Sequence, residues 1–261
     1  MSEHEDDAVI LRVLDFRERD RIVHLLTRTR GQKSGVLFGA KSPRSPYRAL
    51  AEPFTQVRLH YSERASAEMI KIRQVDPIEI PVSLRRDYGR LLHASYLCEL
   101  AWMSPVPESD APELYAWLGQ YLEALSDGSP PETLRWQAEW MLLEQLGVLP
   151  QWQECVECGT PVPTNVPGSA EDPIPEILHQ VDAQAGGVRC PQCVLRHPGA
   201  CFVSPGTVRL LQHNHSPLRA ERFPESLPRL QHRELLRVLQ VLLRSNLGRE
   251  PKSAALLPRP E

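Results

Sequence analysis

Four of the six cysteines in this 261-residue chain form two Cys-x-x-Cys pairs, Cys155–Cys158 and Cys190–Cys193, with 31 residues between them. Two residues between thiolates allow both sulfurs of a pair to reach one ion, and two such pairs complete the tetrahedral sulfur shell that zinc prefers. Gly159 follows the first pair, and Gly186 and Gly187 precede the second, which supplies the backbone freedom of tight knuckles. The spacing therefore predicts a zinc site built from four thiolates.

Sulfur fills all four predicted positions, which leaves no open position for water activation and favours a structural role for the metal. The spacer exceeds the usual length of about 15 to 20 residues, but doubling a loop costs only about 0.6 kcal/mol. His197 and Cys201 lie close enough downstream to act as substitute ligands, whereas Cys98 is most simply a buried thiol. A redox role is disfavoured because neither pair follows the strand of a βαβ unit.

Five short apolar segments near the N-terminus have the composition of β-strands. They are residues 9–16, 22–27, 35–39, 55–61 and 68–75. The fourth segment alternates apolar Val57, Leu59 and Tyr61 with polar side chains, which is the period of a half-buried strand. Five short strands within 70 residues predict a small β-barrel.

After Asp76 the apolar residues recur at helical spacing instead. The predicted helices cover about residues 84–103, 114–125, 134–146, 204–211 and 229–247. The chain is thus expected to be an α+β multidomain protein with an N-terminal five-stranded β-barrel, an α-helical bundle and a four-cysteine zinc-knuckle element. The expected domains are residues 1–80 for the barrel, 81–152 with 203–248 for the helices, 153–202 for the zinc element and 249–261 for a flexible tail.

Charge is distributed unevenly along the chain, although the net charge is only −3. Residues 8–75 contain 14 Lys and Arg against 6 Asp and Glu, whereas residues 76–150 contain 4 against 12. A basic module that precedes an acidic one indicates a charged partner, and phosphate backbones are bound by such surfaces. A solvated surface without a partner is the alternative.

The candidate DNA contacts are the cations in predicted turns and on the polar strand faces. They are Arg17, Arg19, Arg21, Arg28, Arg30, Lys33, Lys41, Arg44, Arg48, Arg58, Lys71 and Arg73. Barrels that bind single strands combine such cations with aromatic faces for the bases, and Tyr47, His60 and Tyr61 are the candidate platforms.

Several functional classes are disfavoured. No apolar stretch approaches the roughly 18 residues of a membrane span, and the first seven residues are acidic rather than basic as in a signal peptide, so a cytoplasmic protein is expected. The stretch Gly39-Ala-Lys41-Ser42 lacks the adjacent Gly-Lys of a P-loop. No catalytic arrangement is recognisable, and the chain is not expected to be an enzyme.

Several of these segments, in this order, resemble the bacterial RecO recombination-mediator proteins. The similar segments are residues 20–31, 39–42, 50–54, 135–159 and 186–193, and the likeness covers about residues 8–247. The resemblance implies an oligonucleotide-binding (OB) fold at the N-terminus and a cytoplasmic, nucleoid-associated protein that acts in recombination and DNA repair. It also implies binding of single-stranded and double-stranded DNA, annealing of complementary strands, and loading of RecA together with RecR.

The resemblance also implies two groups of contacts. Lys41 and Arg44 fall in the barrel loop where family members place cationic DNA contacts. Arg233, Arg237 and Arg244 accompany an apolar stripe on the last helix, which either packs against the bundle or helps form a groove for the tail of the single-strand-binding protein. Two other functions stay open: a zinc-stabilised adaptor that only bridges proteins, and a zinc enzyme.

Overall fold

The computed structural model describes residues 2–64, 67–162, 178–196, 200–213 and 227–258. The chain divides into two compact units. The first is built from residues 1–138 and 251–257, and the second from residues 139–250. The predicted α+β class is confirmed, while the finer domain limits drawn from the sequence stay predictions.

The first unit contains one five-stranded antiparallel sheet. Its strands are β1 (Ser2–Phe16), β2 (Asp20–Thr27), β3 (Gly31–Leu37), β4 (Gln56–Glu63) and β5 (Lys71–Glu79). They lie in the order β3-β2-β1-β4-β5. Alternate residues of each strand point to one side, where they form a buried apolar cluster that includes the predicted row Val57, Leu59 and Tyr61.

The two edges of this sheet meet at a single point. Gly35 of β3 forms an isolated parallel bridge with Ile70, and the Ile70 N–H donates to the Ser34 carbonyl at 2.8 Å. A Cβ atom at Gly35 would lie only 2.8 Å from Ile72 Cδ1, so this approach requires glycine. Beyond the bridge β5 pairs with β4 alone, and the sheet is not closed into the predicted barrel.

The limits of all five strands differ from the expected ones, and three of the differences are informative. β1 begins at Ser2 rather than at residue 9, because Ser2–Val9 pairs in register with β4. β3 ends at Leu37, which leaves Phe38 outside the sheet. β5 continues through Pro77, which is tolerated because β5 is an edge strand with one side unpaired.

Helices complete the first unit. They are α1 (Val82–Arg86), α2 (Tyr88–Met103), α3 (Ala111–Ser126) and the first part of α4 (Pro131–Gln145), with a 3-10 turn at Glu108–Asp110. The helix predicted over residues 84–103 is interrupted at Asp87. Asp87 has extended backbone angles, and its carboxylate caps α2 by accepting the Arg90 N–H at 2.9 Å.

The expected tail after Gly248 contains a short structured segment. Residues Lys252–Leu256 form a 3-10 helix in the first unit. The Glu99 carboxylate accepts the Lys252 N–H at 2.9 Å, the Ser253 N–H at 2.8 Å and the Ser253 hydroxyl at 2.6 Å. The sequence pattern does not show this anchor, because Glu99 lies about 150 positions earlier.

The second unit combines a small sheet with two helices. Its strands are β6 (Gln151–Cys155), β7 (His179–Asp182), β8 (Gly187–Arg189) and β9 (Cys201–Val203), in the order β6-β8-β7-β9. The helices α5 (Pro205–His213) and α6 (Arg229–Leu247) follow. Pro205 begins α5 as predicted, and α6 has the predicted limits and ends at Gly248, whose φ is +73°.

Candidate metal centre and cationic surface

The four paired cysteines converge in the second unit. The Sγ atoms of Cys155, Cys158, Cys190 and Cys193 all lie within 4.8 Å of one another, and the Cys158 and Cys190 sulfurs are 3.8 Å apart. A tetrahedral metal–thiolate centre with bonds of about 2.3 Å has sulfur–sulfur edges of about 3.8 Å. The predicted ligand set is therefore brought together, and its donors and spacing fit one metal ion.

Local backbone structure builds this cluster from two knuckles. The Gly159 N–H donates to the Cys155 carbonyl at 2.9 Å, and the Cys193 N–H donates to the Cys190 carbonyl at 2.9 Å. Gly159 has a φ of +69°, a left-handed conformation that a side chain would strain. The strands β6 and β8 carry the knuckles side by side, because Cys155 pairs with Val188.

Hydrogen bonds lower the pKa of two thiols of the cluster, that of Cys158 through Thr160 and that of Cys155 through backbone N–H groups. Burial opposes ionisation of Cys155, but hydrogen bonds from the backbone of Cys190, Cys158 and Glu157 outweigh it and lower its pKa to about 6. Hydrogen bonds with the Cys190 and Cys158 side chains instead raise the pKa of Cys193 to about 12. Without a metal charge Cys155 therefore ionises at a lower pH than Cys193.

An arginine connects the two knuckles. Arg189, next to Cys190, donates from Nη1 to Glu157 Oε2 at 2.6 Å and from Nε to Asp182 Oδ2 at 2.9 Å. Only 12% of the Arg189 side chain is exposed. Glu157 lies beside Cys158, so this ion pair fixes the two ligand-bearing turns relative to each other.

The remaining sulfur and nitrogen candidates lie outside the cluster. Cys201 is buried in β9, and burial raises its pKa to about 11. Cys98 is buried in α2, as predicted, and burial raises its pKa as well. His197 lies outside the described residues, so its role as a substitute ligand stays a prediction.

The first unit carries the twelve predicted DNA contacts, and half of them form ion pairs. Arg21 pairs with Asp15 and Glu52, Arg30 with Glu108, Lys33 with Glu63 and Glu108, Lys41 with Asp15, Arg58 with Glu5 and Asp7, and Arg73 with Glu3. Within the described ranges, the other six form no ion pair: Arg17, Arg19, Arg28, Arg44, Arg48 and Lys71. The predicted DNA contacts of the first unit therefore divide into six cations that pair with a carboxylate and six that do not.

Several unpaired cations lie at the sheet end formed by the β1–β2 turn. The Lys41 N–H donates to the Arg19 carbonyl and the Gly39 N–H to Asp20 Oδ1, both at 2.9 Å, which joins this turn to the β3–β4 connection. Consecutive turns then carry the chain through Arg44 to Arg48. We call this region the turn-end surface, and it comprises Arg17, Arg19, Phe38, Lys41, Arg44 and Arg48.

Phe38 is a functional candidate that sequence reasoning missed. Its side chain is 59% exposed on the turn-end surface, because β3 ends one residue earlier. The signal in the sequence was that Phe38 directly precedes Gly39. Gly39 has a φ of +69° and begins the connection from β3 to β4. The proposed platforms are less accessible: Tyr61 is core, Tyr47 packs against the core, and His60 lies between Glu5 and Asp76.

The predicted partner contacts on α6 lie on its exposed face. Arg233 and Arg237 are exposed, and Arg244 Nη1 lies 3.8 Å from Glu250 Oε1. The opposite face of the helix, with Leu235 and Leu239, is buried in the second unit, where α6 packs against α5 and β9. The apolar stripe thus serves packing, and Arg233, Arg237 and Arg244 face outward.

Two family models match nearly the whole chain. Residues 1–81 match the model described as Recombination protein O N terminal, and residues 85–255 match Recombination protein O C terminal. These matches place the chain in a class of recombination proteins. No helix among the described residues is long and apolar enough to cross a membrane.

Curated relatives agree with the family models. The chain is 32% identical to the DNA repair protein RecO of Anaeromyxobacter sp. (strain K), over 93% of this chain and 91% of the relative. It is 31% identical to the DNA repair protein RecO of Symbiobacterium thermophilum, over 81% and 79% of the two chains. It is 27% identical to that of Myxococcus xanthus, over 97% and 96%. The chain belongs to the RecO family of DNA repair proteins, as its sequence motifs predicted.

Proposed function

We propose that this protein is a non-catalytic mediator of DNA repair and homologous recombination. In this proposal it binds single-stranded and double-stranded DNA, anneals complementary strands, and works with RecR to load RecA onto DNA that is coated by single-strand-binding protein. Membership of the RecO family supports the repair role. The turn-end surface supports direct DNA binding.

The composition of the turn-end surface carries the proposal. Arg17, Arg19, Arg44 and Arg48 are exposed, and no carboxylate pairs with them among the described residues. Phe38 lies exposed on the same surface, and a single strand is held by just such a combination of cations for phosphates and aromatic faces for bases. The guanidinium of Arg17 also lies 5.0 Å from the Phe16 ring centre, which orients the cation.

The sheet topology is compatible with an OB fold, which we include in the proposal. An OB fold is a five-stranded, partly open Greek-key barrel whose loops bind oligonucleotides. The order β3-β2-β1-β4-β5 and the parallel approach of β3 to β5 at Gly35 fit that description. The open edge corresponds to incomplete closure rather than to another topology.

The proposed mechanism needs only binding. Backbone charge and stacking hold a strand without reading its sequence, so the exposed bases stay available to a complementary strand. The cations lower the repulsion between two phosphate backbones as the strands approach. Annealing then proceeds without a nucleotide cofactor.

We assign zinc to the four-cysteine cluster as a structural ion. Zinc is the metal that most often takes four thiolates in tetrahedral geometry, and a complete sulfur shell leaves no position for substrate. The bound ion would cross-link β6 and β8 through their knuckles. The protein's own residues supply the ligands and, through Arg189, the second layer of contacts.

One observation favours a second candidate, a zinc-stabilised adaptor that bridges proteins without binding DNA. Six of the twelve predicted contacts are neutralised by carboxylates. The exposed Arg233 and Arg237 on α6 would then be the main interaction surface, and the acidic tail of the single-strand-binding protein is the proposed ligand there.

A salt-resolved titration of fluorescent single-stranded DNA separates the two candidates. If the four free arginines neutralise four phosphates, log affinity falls with log salt at a slope of roughly −3. Replacing Arg17, Arg19, Arg44 and Arg48 with Gln should remove most of the affinity and the slope. The matched control replaces four exposed arginines elsewhere, Arg86, Arg196, Arg229 and Arg249, and should lose much less.

Equal losses in both quadruple variants would reject the turn-end surface as the DNA site. A wild-type protein without steep salt dependence would favour the adaptor instead. Strand annealing with and without single-strand-binding protein tests the mediator role directly, and Arg237→Glu together with Arg233→Glu should lower affinity for the tail peptide without changing DNA affinity.

A further inference from the structure

The first residues of the chain form part of the sheet, although they are strongly acidic. Ser2–Val9 pairs with β4, and Asp7 lies opposite Arg58 while Glu5 lies opposite His60. Because side chains alternate along a strand, Glu3, Glu5 and Asp7 share one face of β1, and Asp6 points to the other. Asp6 is buried and accepts the Thr29 hydroxyl at 2.7 Å.

These three carboxylates contact cations of β4, the neighbouring strand, and of β5, the strand beyond it. Asp7 Oδ1 lies 3.0 Å from Arg58 Nε, and Glu5 Oε1 lies 3.7 Å from the same nitrogen. Glu3 Oε1 lies 3.3 Å from Arg73 Nη2. Glu5 and Asp76 also flank the His60 ring, at 3.8 and 3.5 Å.

These ion pairs are too exposed to contribute much to folding. Arg58 is 51% exposed and Arg73 is 43% exposed, and exposed pairs of this kind typically have little effect on stability. Their effect on a charged ligand is larger. A polyanion that approaches this face meets the guanidinium groups of Arg58 and Arg73, but it also meets four carboxylates, those of Glu3, Glu5, Asp7 and Asp76. Binding a phosphate at Arg58 or Arg73 would require displacing a carboxylate of the same chain.

We infer that the acidic start of β1 is an internal competitor for DNA, which excludes the strand from the β4–β5 side and confines it to the turn-end surface. Glu3, Glu5 and Asp7 are thus specificity-determining residues for the position of the DNA. This inference rests on the proposed DNA binding. It accounts for the pairing of Arg58 and Arg73, whereas the arginines of the turn-end surface lie away from these carboxylates.

The test neutralises the competitor with nearly isosteric amides. The variant Glu3→Gln, Glu5→Gln, Asp7→Asn keeps the strand and should bind single-stranded DNA about five- to tenfold more tightly at low salt. Its salt slope should be steeper by about 1.4, because Arg58 and Arg73 become available to two further phosphates. Circular dichroism and the thermal midpoint of unfolding check that the fold is retained.

General electrostatics would also raise the affinity, so a matched control is needed. The variant Glu113→Gln, Glu123→Gln, Glu132→Gln removes the same charge from helices of the first part of the chain. It should gain less affinity and keep the wild-type slope. Equal gains in affinity and slope would overturn the inference.

A second comparison locates the new contacts. Arg58→Gln with Arg73→Gln should abolish the gain in the neutralised background and have a smaller effect in the wild-type background. Equal effects in both backgrounds would also overturn the inference.

Two further outcomes concern the proposed function. Absence of binding by both the wild type and the neutralised variant would reject the proposed DNA binding and the inference with it. Binding by the neutralised variant alone would support the competitor and reject the turn-end surface as the DNA site.

Discussion

The five-stranded sheet of the first unit has strands of 7 to 15 residues, whereas the strands of the four-stranded sheet have only 3 to 5. Alternation along the long strands buries a continuous apolar cluster that runs from Ala8 to Val75. The short strands offer few apolar side chains, and Cys155 and Cys201 are themselves among their buried residues, while buried Cys190 directly follows β8.

The difference predicts that the two sheets are stabilised in different ways. Apolar burial stabilises the first sheet in proportion to the area removed from water. A small sheet cannot bury enough area, and small folds commonly depend on cross-links or metals. The comparison predicts that the two sheets respond to different perturbations.

Loss of the metal ligands should have the largest effect. Cys190→Ser, or removal of the metal with a chelator, should unfold the sheet β6–β9, because a structural zinc site contributes roughly 10–16 kcal/mol in apparent binding free energy. Hydrogen exchange resolved by residue should show lost protection in residues 151–155 and 187–189 and retained protection in β1–β5. Unchanged protection around Cys155 would contradict a structural metal.

A core truncation in the first unit should have the opposite effect: it should destabilise the first unit and leave the metal site intact. Leu59→Ala in β4 removes a fully buried side chain and should lower the free energy of unfolding of the first unit by about 2–5 kcal/mol. Urea denaturation measures the loss, and the metal content of the protein should not change. Simultaneous loss of metal would show that the two units do not respond separately.

The ion pair that connects the knuckles should have an intermediate effect. Arg189→Gln removes the contacts to Glu157 and Asp182 and should weaken metal affinity about tenfold, as loss of an outer-shell partner typically does. Competition with a chromophoric chelator measures the affinity. Arg196→Gln, an exposed arginine three residues after Cys193, is the control, and an equal loss there would point to net charge.

The smallest effect is expected for an arginine of the first sheet in a similar ion pair. Arg58→Gln should leave the urea midpoint of the first unit within experimental error, because its contacts to Glu5 and Asp7 are solvent-exposed. A clear drop in the midpoint would show that the acidic start of β1 contributes to folding and would remove the contrast with Arg189.

The fold class and the cysteine cluster were predictable from the sequence because both depend on local spacing. The period-two row around Leu59, the start of α5 at Pro205 and the two Cys-x-x-Cys pairs are each readable within a few residues. Closure of the sheet was not predictable in this way. It depends on how Gly35 and Ile70 meet across the fold, and that contact leaves no periodic signal.

The distribution of charge was predictable only in part. The sequence shows that residues 8–75 are basic, but it does not show which cations meet a carboxylate. Acidic residues before Ala8 looked like an extension, and only the register with β4 places Asp7 beside Arg58. Likewise, a shift of β3 by a few positions turned Phe38 from an expected strand residue into an exposed aromatic.

The hydrogen bonds that the Glu99 carboxylate accepts from the segment Lys252–Leu256 have a consequence for biosynthesis. Glu99 leaves the ribosome about 150 residues before Lys252 and Ser253, so its three acceptor contacts form only after the intervening chain has been made. The sheet of the first unit can therefore assemble early during translation, but this unit acquires its 3-10 helix Lys252–Leu256 only after residues 139–250 of the second unit have been synthesised.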